Sequence, residues 1–246
     1  MPYVDLPGTR TYHEVTGSGD PLVLLHGGFA SLEVMRPLSD RLAADFTVHS
    51  PERPGHGRTP DVPGPFTFPA MLEHTLAYLG AMGVTRAHVV GFSDGAITGL
   101  LLARDHPGRV ASLVAISANL DPSGFVSDQD ADRTMTAEQH RELDQEYARL
   151  SPDGAGHLDE VVDKLMTLWR REPQIPAASL AALTAPTLVL AGERDMVRLE
   201  HTQLIARSIP KAQLCVVPGT GHLLVRERPD LIAGEITRFL RGLARS

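Results

Sequence analysis

The sequence predicts an α/β fold in which a mostly parallel central sheet carries helices on both of its faces. Short apolar runs alternate with amphipathic segments along most of the 246 residues, a pattern typical of such a sheet. The runs Leu22–Leu25 and Leu188–Leu190 are continuously apolar, as expected of parallel strands buried on both faces. A chain of this length can also bury a full core, as one large domain or two small ones.

The elements follow in order along the chain. Each predicted strand is a short apolar run, and these runs are Thr11–Thr16, Pro21–Leu25, Phe46–Ser50, Ala87–Gly91, Val110–Ser117, Thr187–Ala191 and Gln213–Val217. Each predicted helix is an amphipathic segment, and these segments are Leu32–Ala44, Pro69–Met82, Gly95–Asp105, His201–Ile209 and Asp230–Leu243. Because strands and helices alternate, a mostly parallel sheet is favoured over an antiparallel one.

Residues 119–183 interrupt this alternation. We predict that residues 1–118 and 184–246 form the core domain and that residues 119–183 form a helical lid insert. The insert is more charged, is broken by glycine and proline near residues 151–154, and contains two helix-like patterns. The second pattern has an apolar face made of Leu158, Val161, Val162, Leu165, Leu168 and Trp169. That face either packs on the main domain or roofs a substrate pocket, and it can do both.

Composition excludes several classes of protein. A net charge of −7 argues against a general nucleic-acid surface. No apolar run approaches the roughly 18 residues of a membrane span, and the first residues lack the basic and apolar segments of a secretory signal. The single cysteine, Cys215, fits a reducing compartment and is expected to be a buried strand residue. We therefore expect a cytoplasmic protein, and the preference for arginine over lysine hints at a bacterial source.

The segment Gly91-Phe92-Ser93-Asp94-Gly95 has the G-x-S-x-G pattern of a nucleophile elbow. It follows one predicted strand and opens one predicted helix. That strand–turn–helix context places a serine on a sharp turn with its hydroxyl exposed. Glycine is the residue least penalised by strained dihedrals and by close backbone approach. We predict that Ser93 is a catalytic nucleophile.

A serine nucleophile needs a base, and the base needs an acid that orients it. His222 lies in a turn-rich loop directly after the last predicted strand, and Asp195 follows the preceding strand. Both residues fall at carboxyl ends of strands, where open α/β sheets build their sites. A loop histidine is commonly a solvated surface residue, but this position and its glycine neighbours predict His222 as the base. We predict Asp195 as the acid, with Glu193 in the same loop as a structural partner.

An acyl-transfer site also needs two donors for the developing negative oxygen of the tetrahedral intermediate. One predicted donor is the amide of Asp94, the residue after the nucleophile. The other comes from His26–Phe29, whose sequence is of the HGGG oxyanion type. We assign the Gly28 amide, with the Phe29 amide as the alternative. Phe29, Asp94 and Trp169 are also expected to contact the substrate.

Two other histidines have plainer interpretations. His26, at the end of a buried strand, is expected to brace the oxyanion loop. His56 lies in the segment Glu52–Thr59, which is expected to be a tight loop that packs near the oxyanion loop. No H-x-x-x-H or C-x-x-C spacing is present, and no phosphate-binding glycine pattern follows a strand. We expect neither a metal nor a cofactor.

These motifs together resemble the α/β-hydrolase superfamily. The resemblance covers nearly the whole chain, and the segments that carry it are His26–Gly28, Arg53–Gly57, Gly91–Gly95, His106–Pro107, Gly192–Asp195 and Gly221–His222. It implies the α/β-hydrolase fold with a helical lid, and its triad order matches Ser93, Asp195 and His222.

Within that superfamily, Ser93-Asp94-Gly95 and a lid of this length are similar to the valacyclovir hydrolase (biphenyl hydrolase-like) group. That resemblance implies cleavage of α-amino-acid esters, with Asp94 beside the substrate's ammonium; Phe92 stands where the group typically has tryptophan. The plainer interpretation is that Asp94 interacts favourably with the dipole of the helix it opens, typically by about 0.3–1 kcal/mol. A carboxylate at this place disfavours an oxyanion unless a cation offsets it.

The leading prediction is a cofactor-independent serine hydrolase of a small carboxylic ester, thioester or amide, with an α-amino-acid ester as one candidate substrate. A carbon–carbon bond hydrolase, lyase or cyclase with the same triad is the first alternative. A slow-turnover ligand receptor of the same fold is the second. Dehalogenases and epoxide hydrolases of this fold use an aspartate nucleophile, so Ser93 argues against both. The expected partner is a small-molecule substrate, with no nucleic acid or membrane, and monomer and homodimer stay open.

Overall fold

The computed structural model describes residues 2–126 and 135–243, and in this part of the chain eight strands form one sheet. Their spatial order is β1-β2-β4-β3-β5-β6-β7-β8. In chain order the strands are β1 (Tyr3–Leu6), β2 (Thr9–Thr16), β3 (Asp20–Leu25), β4 (Phe46–Pro51), β5 (Ala87–Phe92), β6 (Val110–Ile116), β7 (Thr187–Gly192) and β8 (Ala212–Val217). At one edge of the sheet, β1 pairs antiparallel with β2, and β2 pairs antiparallel with β4. All the remaining neighbours, in the spatial order β4-β3-β5-β6-β7-β8, pair in parallel. The prediction of a mostly parallel sheet is confirmed.

Helices cover both faces of the sheet. The helices in chain order are α1 (Leu32–Leu42), α2 (Phe68–Ala81), α3 (Asp94–Asp105), α4 (Ala137–Leu150), α5 (Leu158–Arg171), α6 (Leu199–Ser208), α7 (Leu224–Glu227) and α8 (Pro229–Leu243). Leu22 and Leu24 of β3 share a buried cluster with α1 and α8, while Val23 and Leu25 share the other with α2, α3 and α6. This alternation follows from the two-residue period of a strand. None of the described helices has the length and apolar character needed to cross a membrane.

Side-chain caps define where several helices begin. Ser31 accepts a hydrogen bond from the Glu33 amide before α1, and Thr67 accepts one from the Ala70 amide before α2. Thr136 and Gln139 form a reciprocal capping box at the start of α4. Each cap satisfies a backbone donor that the first helical turn leaves free.

The structure corrects three details of the prediction. β1 was missed, because four residues with one buried side chain give too short a pattern. Cys215 lies in a strand as predicted but is only half-buried, because β8 is an edge strand, where Leu214 is 42% exposed. The sixth strand ends one residue early, because Ser117 adopts a φ of +58°.

The segment between β6 and β7 is tied to the core through Asp61. The Asp61 carboxylate accepts hydrogen bonds from Lys164 Nζ and from His157 Nε2, the latter at 2.9 Å, and the Asp61 amide donates to Asp153 Oδ2 at 2.7 Å. Ligand atoms of Asp61, His157 and Glu160 lie within 4.8 Å of one another. Because Lys164 already places a cation beside the Asp61 carboxylate, we treat this cluster as an attachment of α5 to the core.

Candidate active site

Three of the predicted site residues come from three strand ends on the same edge of the sheet. Ser93 directly follows β5, Asp195 lies in the loop after β7, and His222 lies in the loop after β8. Since β5 to β8 are neighbouring parallel strands, their carboxyl ends meet at one edge. This is the edge at which open α/β sheets place their ligands.

The backbone at Ser93 is strained, and its two flanking glycines allow it. Ser93 has φ +52° and ψ −119°, a conformation that side-chain-bearing residues rarely adopt. A Cβ on Gly91 would lie 2.3 Å from the Gly95 carbonyl oxygen, and one on Gly95 would lie 2.2 Å from the Leu25 carbonyl oxygen. The turn is held by a 2.8 Å hydrogen bond from the Ser93 amide to the Ile116 carbonyl. The sequence pattern around Ser93 therefore has a direct steric cause.

His222 lies between Ser93 and Asp195. Its Nδ1 is 2.7 Å from Asp195 Oδ1, and its Nε2 is 3.2 Å from Ser93 Oγ. A carboxylate only accepts hydrogen bonds, so Nδ1–H is the donor and Nε2 of the neutral ring is left as an acceptor for the serine hydroxyl. The imidazole is buried and packs on the Phe92 ring at 5.1 Å between centroids. In this tautomer the histidine can accept the serine proton.

Asp195 is held by donors to both carboxylate oxygens. Besides His222, Oδ1 accepts from the Val197 amide at 3.1 Å, and Oδ2 accepts from the Gly192 amide at 3.3 Å and from the Ser117 hydroxyl. Ser117 was missed as a site residue. It follows β6 on the same edge, so its place at a strand end was a usable signal, but no motif marks it.

The predicted oxyanion loop is braced from below by two buried side chains. His26 Nδ1–H donates to the Gly27 carbonyl at 2.8 Å, and His26 Nε2 accepts from the Arg53 amide at 3.1 Å. Arg53 Nη2 donates to the same Gly27 carbonyl at 2.8 Å. Burial keeps the pKa of His26 well below its usual value, so the ring stays neutral. The structure thus places His26 where a bracing residue was expected.

Gly28 and Phe29 form the part of this loop that faces α5. Phe29 has φ +54°, and a Cβ on Gly28 would lie 2.5 Å from Trp169 Cζ2 and 2.6 Å from Asp94 Oδ2. Within the described residues, the amides of Gly28 and Asp94 donate to no protein acceptor. Both amides are therefore free to bind a ligand oxygen.

Asp94 is only 2% exposed, and the protein itself supplies its partners. Trp169 Nε1 donates to Oδ1 at 2.9 Å, and Arg53 Nη1 lies 3.9 Å from Oδ2, which accepts no hydrogen bond from the described residues. Burial raises the pKa of the Asp94 carboxyl, while the Arg53 charge and the Trp169 hydrogen bond act against that rise. Arg53, which is 3% exposed, is thus a cation that offsets a carboxylate beside the predicted oxyanion amides. No local sequence pattern around Arg53 predicts this role.

Glu52 organises the loop that carries Arg53. Its fully buried carboxylate accepts from Arg58 Nη1 at 3.0 Å, from the Arg58 amide, and from the Leu32 amide at 3.3 Å. Gly57 has φ +57° and no room for a Cβ, which would lie 2.2 Å from the Glu52 carboxyl carbon. Burial raises the pKa of Glu52 to about 7, against the lowering effect of Arg58.

Glu52→Gln is expected to remove a pH-dependent part of the free energy of unfolding. A raised carboxyl pKa contributes stability that is fully present below pH 4.5 and is lost as the pH rises through about 7. Between pH 4.5 and about 7, the free energy of unfolding of the native protein is expected to fall by up to about 3 kcal/mol relative to that of the variant. Urea unfolding of both proteins across this range measures the difference, and parallel pH profiles would contradict the assignment.

Comparison with known proteins places the chain among hydrolases. The sequence profile of the Alpha/beta hydrolase family matches residues 22–235. Pimeloyl-[acyl-carrier protein] methyl ester esterase of Xanthomonas campestris pv. campestris is 31% identical, covering 94% of this chain and 98% of the esterase. Poly(3-hydroxyalkanoate) depolymerase of Ectopseudomonas oleovorans is 28% identical, covering 90% and 84%. The crystal structure of the enol-lactonase from Burkholderia xenovorans LB400 superposes with a TM-score of 0.81 at 21% identity, covering 98% of this chain and all of the lactonase.

Proposed function

The chain belongs to the alpha/beta hydrolase family, and we propose that it is a cofactor-independent serine hydrolase that cleaves a small carboxylic ester. The observation that carries this proposal is the position of His222, with Nε2 3.2 Å from Ser93 Oγ and Nδ1 2.7 Å from Asp195 Oδ1. This arrangement supplies a nucleophile, a base and an orienting acid in hydrogen-bonded order. Thioesters and amides undergo the same chemistry and are the other candidate substrates.

In the proposed acylation step, Ser93 Oγ attacks the substrate carbonyl carbon while His222 Nε2 takes the hydroxyl proton. The negative charge that develops on the carbonyl oxygen is stabilised by the amides of Gly28 and Asp94. His222 then gives its proton to the leaving alcohol as the carbon–oxygen bond breaks, which leaves the acyl group on Ser93. Asp195 holds the imidazole orientation and stabilises the imidazolium during both transfers.

In the proposed deacylation step, water replaces the alcohol. His222 takes a proton from the water, the hydroxide adds to the acyl carbon, and the same two amides bind the second oxyanion. The tetrahedral intermediate collapses, the proton moves from His222 to Ser93 Oγ, and the acid is released. Every proton taken by His222 is returned, so the enzyme ends each cycle unchanged.

The relatives favour ester cleavage over carbon–carbon cleavage. The relative at 31% identity, which covers 94% of this chain, is an esterase. We also propose that the insert at residues 119–183 acts as a lid, because Trp169 of α5 reaches Asp94 beside Ser93. Residues 127–134 of that insert lie outside the described residues. The cytoplasmic location and the choice between monomer and homodimer stay predictions.

Hydrolysis of matched p-nitrophenyl esters, with and without a free α-amino group, tests the substrate class. We expect turnover of both with no strong preference for the amino ester, because Asp94 is buried, Trp169 donates to its Oδ1, and the Arg53 charge lies 3.9 Å from its Oδ2. Asp94→Asn is expected to leave that ratio unchanged. A strong preference for the amino ester that disappears in Asp94→Asn would assign Asp94 to the substrate's ammonium, as in the valacyclovir hydrolase group. Hydrolysis of neither ester would contradict the proposed function.

A further inference from the structure

Trp169 lies beside the two residues whose amides are proposed to bind the oxyanion, Gly28 and Asp94. Its Cζ2 lies 2.5 Å from the position that a Cβ on Gly28 would occupy, and its Nε1 donates to Asp94 Oδ1 at 2.9 Å. Its ring centroid is 5.4 Å from that of Phe29. The indole thus contacts both residues whose amides would bind the oxyanion, at a place where Gly28, Phe29 and Ser93 keep partial exposure.

A hydrogen bond to Asp94 and the packing of its own helix hold this indole in place. Asp94 is buried and opens α3 directly after the strained Ser93, so the acceptor of the Trp169 hydrogen bond is rigid. Leu165 and Leu168 of the same helix are fully buried in the core, so the helix itself is packed. A hydrogen bond to a buried carboxylate is one of the stronger kinds. The indole therefore cannot move aside without breaking its hydrogen bond to Asp94 or shifting its packed helix.

The side of the site on which Trp169 lies identifies the part of the substrate it meets. The leaving group must be within reach of His222 Nε2, which returns the proton to it. Within the described residues, Trp169 makes no hydrogen bond or ring contact with His222 and instead contacts Gly28, Asp94 and Phe29. With the leaving group beside His222 and the carbonyl oxygen on the two amides, we place the acyl group on the side of the site that Trp169 borders with Phe29.

We propose that Trp169 determines specificity by restricting the acyl group to short chains. This inference rests on the proposed function. A long acyl chain would have to displace the indole and break its hydrogen bond to Asp94, whereas an acetyl or butanoyl group would not. Truncation of the indole opens apolar space along Phe29, and each methylene buried there is expected to raise kcat/KM about fourfold.

The test is the ratio of kcat/KM for p-nitrophenyl octanoate to that for p-nitrophenyl acetate. Because both rates come from one preparation, the ratio does not depend on how much of the protein is active. In Trp169→Ala the ratio is expected to rise by about sixteenfold, which corresponds to two buried methylenes at about fourfold each. Trp169→Phe keeps a ring beside Gly28 and is expected to raise the ratio by about fourfold, so it provides the readout if the alanine variant does not fold.

Met166→Ala is the matched control, because Met166 is an apolar residue on the solvent-exposed side of the same helix. Its ratio is expected to equal that of the native protein. An unchanged ratio in folded Trp169 variants would overturn the inference. It would also be overturned if the variants changed specificity only among acetate esters of different alcohols, because the leaving group and not the acyl group would then meet Trp169. If the native protein hydrolyses none of these esters, the proposed function fails and this inference fails with it.

Discussion

Replacement of Ser93 by alanine is expected to lower kcat for a short-chain ester by about 10⁶-fold, the loss typical of removing a catalytic serine. The hydroxyl that His222 Nε2 faces at 3.2 Å is the proposed nucleophile, and its removal leaves no group that can form the acyl-enzyme. The two amides and the binding surface remain, so the variant is expected to exceed the uncatalysed rate by about 10³–10⁴-fold. Single-turnover kinetics on protein purified free of native enzyme measures this residual rate.

Ser50→Ala is the matched control for that variant. Ser50 is a buried serine near the end of β4, and within the described residues its Oγ has no hydrogen-bond partner. Its truncation is expected to leave kcat near the native value. Retention of more than about a hundredth of the native kcat in Ser93→Ala would contradict the nucleophile assignment.

Replacement of Asp195 by asparagine is expected to lower kcat by about 10⁴-fold. An amide that keeps its oxygen toward His222 Nδ1–H would turn its NH₂ toward the Gly192 amide, so two donors would meet. The flipped amide would donate to His222 Nδ1, which forces the tautomer that cannot accept the serine proton. In either orientation, the negative charge that stabilises the imidazolium is lost. Steady-state kinetics on an activated ester measures the loss.

Ser117→Ala separates the charge of Asp195 from its positioning. It removes one hydrogen bond to Oδ2 while the carboxylate and its partners His222, Val197 and Gly192 remain. The loss in kcat is expected to be about tenfold or less. If Asp195→Asn lost no more activity than Ser117→Ala, Asp195 would not be the orienting acid.

The sequence was sufficient to predict the fold class and the meeting of Ser93, Asp195 and His222 at one edge of the sheet, for local reasons. The strands at residues 22–25 and 188–190 are buried on both faces, so their apolar runs are continuous. Gly91 and Gly95 are required by backbone contacts of 2.3 Å and 2.2 Å, so the motif around Ser93 marks a steric necessity. Asp195 and His222 follow strands, and their position at a common edge follows from a parallel sheet.

The surroundings of Asp94 could not be predicted in the same way. Arg53 and Trp169 approach it from 41 and 75 positions away along the chain, and neither approach follows from a local pattern. The sequence therefore suggested a substrate amine as the compensating cation, where the structure supplies Arg53. Ser117 escaped notice because its role depends on a side-chain contact with Asp195, 78 positions away. Contacts of this length are set by tertiary packing.

Covalent labelling of the native protein with a fluorophosphonate tests the central claim most directly. The reagent forms a bond between its phosphorus and the activated serine oxygen as fluoride leaves, and peptide mass spectrometry locates the adduct. We predict one adduct per chain on Ser93, formed rapidly in the native protein and absent from Ser93→Ala. A folded native protein that takes up no label, or takes it up on another residue, would contradict the proposal that Ser93 is the nucleophile of a serine hydrolase.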